Sequence, residues 1–417
     1  MPPSVSRHRR SFLAALLALA ALAPVVSRAV DRSRLAGANK DEFLTGDWGG
    51  RRSAWSAAGL DFAFAYTAAA YENLAGGLAT GGTFEGTADL SCDLDLAKLA
   101  GWTDLRLHLS SVAAHGTSIS TRCVGDVNKI SSYYLDRGLY LNEVWLQKDW
   151  RQGTLTLRVG KMDADLEFPL YSYADAIPLP LYPTGALGVR LSYEPNSVWF
   201  LSAAVYDGNP NEPGHDNNPH GLHGFSLGRS EGATNLLMVG CNHDYGENAP
   251  LPPGTWKIGV YQSTRSYPNL ATGAKEHGDF AYFLNGDQTL WRENPTVKDD
   301  AQGLALYLVA EWAPADRNTY HYGFGGGPYY TGLLPGRDKD LAYFNFLYTR
   351  FSPTYAAAAR AAGGPGYGFE NRWQFSYQIV FTKYFSLTPE IDYVVHPGGT
   401  GRLANATVLG LRTNLTF

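Results

Sequence analysis

The stretch Thr83-Phe84-Glu85-Gly86-Thr87-Ala88-Asp89-Leu90-Ser91-Cys92-Asp93-Leu94-Asp95-Leu96 decides the fold class. Phe84, Ala88, Leu90, Cys92, Leu94 and Leu96 take one side of a period-two pattern; Glu85, Thr87, Asp89, Ser91, Asp93 and Asp95 take the other. Period two belongs to an extended strand, whose successive side chains point to opposite faces. One face here is oil and the other is acid. A soluble sheet turns its polar face to bulk water and its apolar face to a core, whereas a membrane barrel turns the apolar face to lipid and closes the polar face around water.

The pattern recurs in both directions. Leu60, Phe62, Phe64 and Tyr66 alternate with Asp61, Ala63, Ala65 and Thr67; Leu105, Leu107 and Leu109 with Arg106, His108 and Ser110; Leu155, Leu157 and Val159 with Thr154, Thr156 and Arg158. Leu187, Val189, Leu191 and Tyr193 oppose Gly188, Arg190, Ser192 and Glu194, and Trp373, Phe375, Tyr377, Ile379 and Phe381 oppose Arg372, Gln374, Ser376, Gln378 and Thr382. Gly-, Pro-, Asn- and Asp-rich stretches at 207–228, 248–254, 266–278 and 356–368 read as loops, more than a compact soluble domain carries. Leu409, Leu411, Leu415 and Phe417 share the apolar face of a final strand, and Phe417 resembles the terminal aromatic by which outer-membrane proteins engage their assembly machinery.

Although 45% of residues are hydrophobic, no run of about 18 apolar residues exists beyond the N-terminus, which excludes a helical membrane bundle. The 46 Gly, 26 Tyr and 10 Trp suit many turns and aromatic girdles at a membrane interface. A net charge of −5 with no basic block after the first ten residues argues against a nucleic-acid partner. Cys92, Cys123 and Cys241 show no metal or redox spacing. They read as small apolar residues, with one disulfide left open.

Arg7, His8, Arg9 and Arg10 precede an apolar run from Phe12 to Ala23, the layout of a signal peptide spanning 1–29 with Ser27 and Ala29 at the cleavage site. Arg9-Arg10-Ser11-Phe12-Leu13 also resembles a twin-arginine signal, a route for folded cargo that a lipid-facing barrel cannot take. Residues 30–59 are expected to form a periplasmic or lumenal segment with a short helix, capped by Asp47 and closed by Gly59. Residues 60–417 are expected to form an all-β transmembrane antiparallel barrel.

Several motifs in order resemble the carbohydrate-selective porin family OprB. They are Gly46-Asp47-Trp48-Gly49-Gly50-Arg51, Asn142-Glu143-Val144-Trp145, Arg158-Val159-Gly160-Lys161, Val205-Tyr206-Asp207-Gly208 and Gly221-Leu222-His223-Gly224 before Phe225. The C-terminal third adds Gly332-Leu333-Leu334-Pro335-Gly336-Arg337 with Asp340, Glu370, Pro389 to Tyr393, Pro397 to Gly399 and Gly410 to Arg412. The resemblance implies sixteen strands around a constricted polar lumen that favours glucose-like monosaccharides, in the outer membrane of a Gram-negative bacterium. The chain departs from the family in having Gln374 where an acidic residue is usual, and Asp392 and His396 in place of Gln and Asn. Those departures touch the sugar preference and not the fold.

A sugar pore needs no catalytic groups and no cofactor; it needs side chains that hydrogen-bond hydroxyls and rings that stack on a pyranose, held weakly enough to release. Charges in the lumenal register supply the candidates: Asp89, Asp93, Arg106, Arg158, Arg190, Arg337 and Asp340, then Glu390, Asp392 and Arg412. Cross-strand pairing that stiffens the wall is the competing role for each. Calcium on Glu85, Asp89, Asp93 and Asp95 is disfavoured because alternate residues of one strand stand about 6.6 Å apart. His215, His220 and His223 read as a solvated loop, not a metal site. The expected partners are small sugars, outer-membrane lipid and the assembly machinery, with homo-oligomerisation left open. A general unselective porin and a secreted β-rich enzyme acting on carbohydrate are the rival functions.

Overall fold

Every alternating segment named above forms a strand. The computed structural model describes residues 43–131, 137–164, 168, 185–208, 232–243, 252–297 and 300–417. The strands are β1 Leu60–Ala75, β2 Gly81–Asp95, β3 Leu105–Gly116, β4 Gly138–Trp150, β5 Leu155–Met162, β6 Ala186–Tyr193, β7 Trp199–Asp207 and β8 Ala233–His243. They continue as β9 Gly254–Pro268, β10 Lys275–Arg292, β11 Gly303–Trp312, β12 Tyr320–Thr331, β13 Leu341–Phe351, β14 Phe369–Thr382, β15 Phe385–Val395 and β16 Ala406–Thr416. Each pairs antiparallel with its sequence neighbour, and β1 pairs with β16 from Ala65↔Thr416 to Ala75↔Thr407 to close the barrel.

Burial is inverted relative to a soluble protein. Phe84, Leu90, Val189, Ile258, Phe375 and Leu411 stand exposed on the outer surface, while Glu85, Thr87, Glu370, Ser376 and Asp392 are buried inside. The turns 151–154 and 383–384 lie at the end that holds both described termini, and the loop residues 117–131 and the segment 352–368 lie at the other. Short turns mark the periplasmic end and long loops the outer end.

The Gly46–Arg51 motif builds a clasp at the periplasmic end. Helix α1, Arg51–Ala58, is closed by Gly59 in the left-handed region, as expected. Asp47 acts differently from expectation: Gly50 is the residue before the helix, and Asp47 Oδ1 reaches forward to accept from the Ser53 amide and hydroxyl, each at 2.8 Å. Arg52 lies between the Phe43 and Trp48 rings and donates to the Phe417 carbonyl at 2.8 Å. The Phe417 amide donates to the Phe64 carbonyl at 2.8 Å, and their rings stand 4.9 Å apart.

Further expectations change, and the first half of the stretch 356–368 is helical, within Pro353–Ala361. The stretch 266–278 is mostly strand, since β9 runs to Pro268 and β10 starts at Lys275, with an irregularity between His277 and Asp279 absorbing Gly278. The inner face is not uniformly polar. At the outer end Ala69, Tyr71, Val394, Ala406 and Val408 point inward and pack with Ile119, Cys123, Val124 and Ile130 of the loop after β3, described over 117–131. Along β4 to β10, Trp145, Met162, Ala186, Tyr206, Leu236, Tyr261 and Phe283 form a second inward apolar cluster with Ala164 and Phe168. Where a loop folds into the lumen, the wall beneath it is dry and therefore apolar. The cysteines are unpaired, with Cys123 buried in that loop.

Placing an arginine at the lipid face near mid-strand is expected to cost about 2–4 kcal/mol. Urea unfolding in lipid vesicles should therefore show Leu90→Arg destabilised by that amount, with Leu90→Phe within about 0.5 kcal/mol of the parent.

Candidate functional site

Residues 117–131 of the loop after β3 are tied to the inner wall by groups more than 200 residues away in sequence. From β14, the Glu370 carboxylate accepts from the amides of Val127 at 2.9 Å, Asn128 at 2.7 Å and Gly398 at 2.7 Å, and from Asn128 Nδ2 at 2.9 Å. Two residues on and in the same inward register, Arg372 donates to the carbonyls of Lys129 at 2.7 Å and Ile130 at 2.9 Å and to Asp392 Oδ1 at 2.7 Å. Thr349 of β13 donates to Asn128 Oδ1 at 2.7 Å. A carboxylate accepts and a guanidinium donates, so together they satisfy both kinds of backbone group along the buried loop. Such charge-assisted bonds are the stronger ones in a water-poor interior.

Of the charges expected in the lumen, Glu390, Asp392 and Arg412 converge beside this anchor. Arg412 donates to the Tyr343 oxygen at 2.7 Å and stands 3.6 Å from Glu390, which also accepts from Gln374 at 3.3 Å. Gln374 and Asp392, two of the departures from the family pattern, are direct register partners on β14 and β15. One carboxylate is thereby kept in that pair, on the opposite strand.

A second corner gathers Asp93, Arg158 and Arg190. His108 lies 2.9 Å from Asp93 and stacks on Trp145 at 4.6 Å, while the Arg158 guanidinium sits 3.7 Å over the same indole. Arg158 also donates twice to Gln147, at 2.8 and 3.1 Å. The motif Asn142 to Trp145 owes its placement to a bulge: β4 shifts register against β3 so that Ser110 faces Glu143 and Ser111 faces Leu141, which leaves Asn142 as the extra residue. A bulge re-aims side chains. Asn142 and Glu143 are consequently both buried against Asp163, through Asn142 Nδ2 at 2.9 Å and the Asp163 amide at 3.2 Å. Arg158 and Arg190 are register partners, so two cations adjoin on this wall. Asp89 lies on β2 beyond Asp93, and Arg106 near the periplasmic end of β3 opposite Gln147.

Arg337 and Asp340 sit elsewhere, in the periplasmic turn 332–340. Asp340 accepts from Arg337 at 2.7 and 2.8 Å, from the Val380 amide at 2.9 Å and from Tyr377 at 3.0 Å. Burial alone would raise the Asp340 carboxyl, but these four donors hold it below the usual range. The pair fastens a turn and is not brought to either charged corner. Glu370, Arg372, Gln374, Glu143 and His108 were absent from the sequence candidates. Arg372, Gln374 and His108 lay in the polar register and could have been chosen from it; Glu370 and Glu143 work through a loop and a bulge that periodicity does not show. The histidines of 215–223 lie outside the described residues.

Comparison with known proteins agrees with this architecture. The family model described as carbohydrate-selective porin, OprB family, matches residues 79–417. The chain is 22% identical to Porin B of Pseudomonas aeruginosa, covering 90% of this chain and 91% of that protein. It is 24% identical to a protein of Acinetobacter baylyi named as porin QuiX, covering 90% and 93%. The high-pH structure of Pseudomonas putida OprB superposes with a TM-score of 0.82 at 19% identity, covering 91% of this chain and 99% of that one.

Two outcomes follow from the loop anchor. Removing the cation by Arg372→Met leaves Asp392 buried without it, which should cost about 3–5 kcal/mol in urea unfolding and raise single-channel conductance as the loop loosens. In the loop, burial pushes the Asp126 carboxyl up to about 6, with Ser120 and Arg372 opposing. Its unfolded value is near 3.9, so the folded state binds the proton more tightly and this stabilisation is present at low pH and lost as pH rises through 6. The stability advantage of Asp126→Asn over the parent should therefore be larger at pH 7.5 than at pH 5.

Proposed function

The chain belongs to the OprB family of carbohydrate-selective porins, an outer-membrane channel for sugars and not an enzyme, and from that premise we propose that it passes neutral, glucose-sized monosaccharides by diffusion. Residues 117–131 fold against the inner wall and narrow the passage on that reading. The path runs past Arg412, Glu390 and Asp392 on one side and past Asp93, Arg158 and Arg190 on another, with Asp89 and Arg106 as flanking contacts. Arg337 and Asp340 serve the periplasmic turn.

The observation that carries this reading is charge pairing in the lumen. Arg372 pairs with Asp392 and Arg412 with Glu390. A compensated pair offers an ion little net field, yet its nitrogens and oxygens still exchange hydrogen bonds with hydroxyls. Neutral polyols are favoured on those terms over small ions, and weak multi-site contact lets them leave as readily as they enter. We further assign 1–29 to a cleaved signal peptide, 30–59 to the periplasmic segment and Phe417 to recognition by the assembly machinery.

Liposome swelling with purified protein tests the proposal. Glucose should enter severalfold faster than an amino acid of similar size, and a disaccharide more slowly than glucose. Equal rates for glucose, amino acid and salt would leave a pore but remove the sugar preference.

A further inference from the structure

We propose that the lumen holds a sugar-stacking station on Phe200, on the periplasmic side between β6 and β10 and apart from both charged corners. It rests on the sugar-channel reading above and gives that channel a defined resting point.

Among the described residues, four inward-facing aromatic rings reach over a glycine of the neighbouring strand, in space that a side chain there would fill. These are Tyr206 over Gly188, Phe283 over Gly259, Tyr71 over Gly410 and Phe200 over Gly240, where an added Cβ would meet each ring. Tyr206, Phe283 and Tyr71 are covered, at 3% exposure or less. Phe200 alone of the four is part-exposed, at the margin of the inward apolar cluster. Its ring lies over Gly240 and lines a cavity open to the lumen.

That cavity, of about 280 Å³, also has Ser192, Glu194, Asn242, Thr255 and Lys257 in its lining. Lys257 Nζ stands 6.0 Å from the ring centroid. An adjoining cavity of about 410 Å³ shares Asn242 and Thr255 and adds Ser197, Asp287 and Thr289. The two volumes bracket the lower end of the range in which proteins hold small ligands, roughly 300 Å³ upward. Asp287 is fixed by the Tyr329 hydroxyl, 2.9 Å from both carboxylate oxygens.

The shape and chemistry select a class of ligand. The face of an aromatic ring is electron-rich and attracts weakly positive C–H groups, which a pyranose presents on one face. The rim of hydroxyls, one carboxylate and one ammonium around Phe200 matches the hydroxyl-bearing edge of the same sugar. A lipid tail would leave that polar rim unpaired, and a simple ion gains nothing from an open phenyl face. One pyranose fits over Phe200, and a second, linked unit would extend into the cavity beside Asp287.

Planar-bilayer recordings with glucose and maltose test the station, reading the half-saturating concentration from the sugar-induced fall in current. Phe200→Ala should raise it roughly three- to tenfold for both sugars, and Phe200→Tyr should keep it within about twofold of the parent. Should Phe200→Ala fail to insert, Lys257→Gln decides, with a rise of about twofold or more expected. A parent channel that saturates with sugar while Phe200→Ala or Lys257→Gln leaves the concentration unchanged overturns the station alone. A parent channel that does not saturate and admits all small solutes equally overturns the sugar reading and the station with it.

Discussion

Backbone hydrogen bonding in a medium without water is the constraint on which this molecule depends. In hydrocarbon an unpaired N–H or C=O costs several kcal/mol, and a sheet avoids that only by having no edge. Closure of β1 on β16 supplies the last ladder. The surrounding features protect that seam: Phe417 packs on Phe64, and Arg52, held between two aromatic rings, grips the Phe417 carbonyl. Burial then inverts. The solvent inside the ring is water and the solvent outside is lipid, so the period-two pattern carries its charges inward.

Inside the ring a second problem arises, because residues 117–131 bring their own backbone into a space where water is scarce. Glu370 and Arg372 answer it as complementary neighbours, one collecting amides and the other carbonyls. The apolar residues of the loop are seated on inward-facing Ala69, Tyr71, Val394 and Val408. The contacts that hold the loop therefore also hold it inside the ring. Beside the loop, Arg412 faces Glu390 and Arg372 faces Asp392.

Much of the wall was legible in the sequence, because a strand buried on no side but wetted on one must alternate. Phe84 and Leu90 outside, with Glu85 and Thr87 inside, follow directly from it. The interior was less legible for physical reasons. An inward Val394 or Val408 looks like a break in the pattern until the loop that covers it is known, and that loop is anchored some 240 residues away. The bulge at Asn142 shifts the register by one residue and cannot be read from periodicity. Arg337 and Asp340 were singled out by a Gly/Pro-rich motif, yet that motif makes a periplasmic turn whose carboxylate is already saturated with donors. Ser266 to Gly278 looked like a loop by composition, and strand pairing overrode the composition.

The inversion itself is most directly measured by the reactivity of single cysteines introduced at adjacent positions of β2. With Cys92, Cys123 and Cys241 replaced by alanine, Asp89→Cys and Leu90→Cys variants reconstituted in vesicles would be exposed to a small water-soluble thiol reagent. The account predicts rapid labelling at position 89 from the aqueous lumen and protection at position 90 by acyl chains. Equal labelling at both positions, or protection at 89 with labelling at 90, would contradict it.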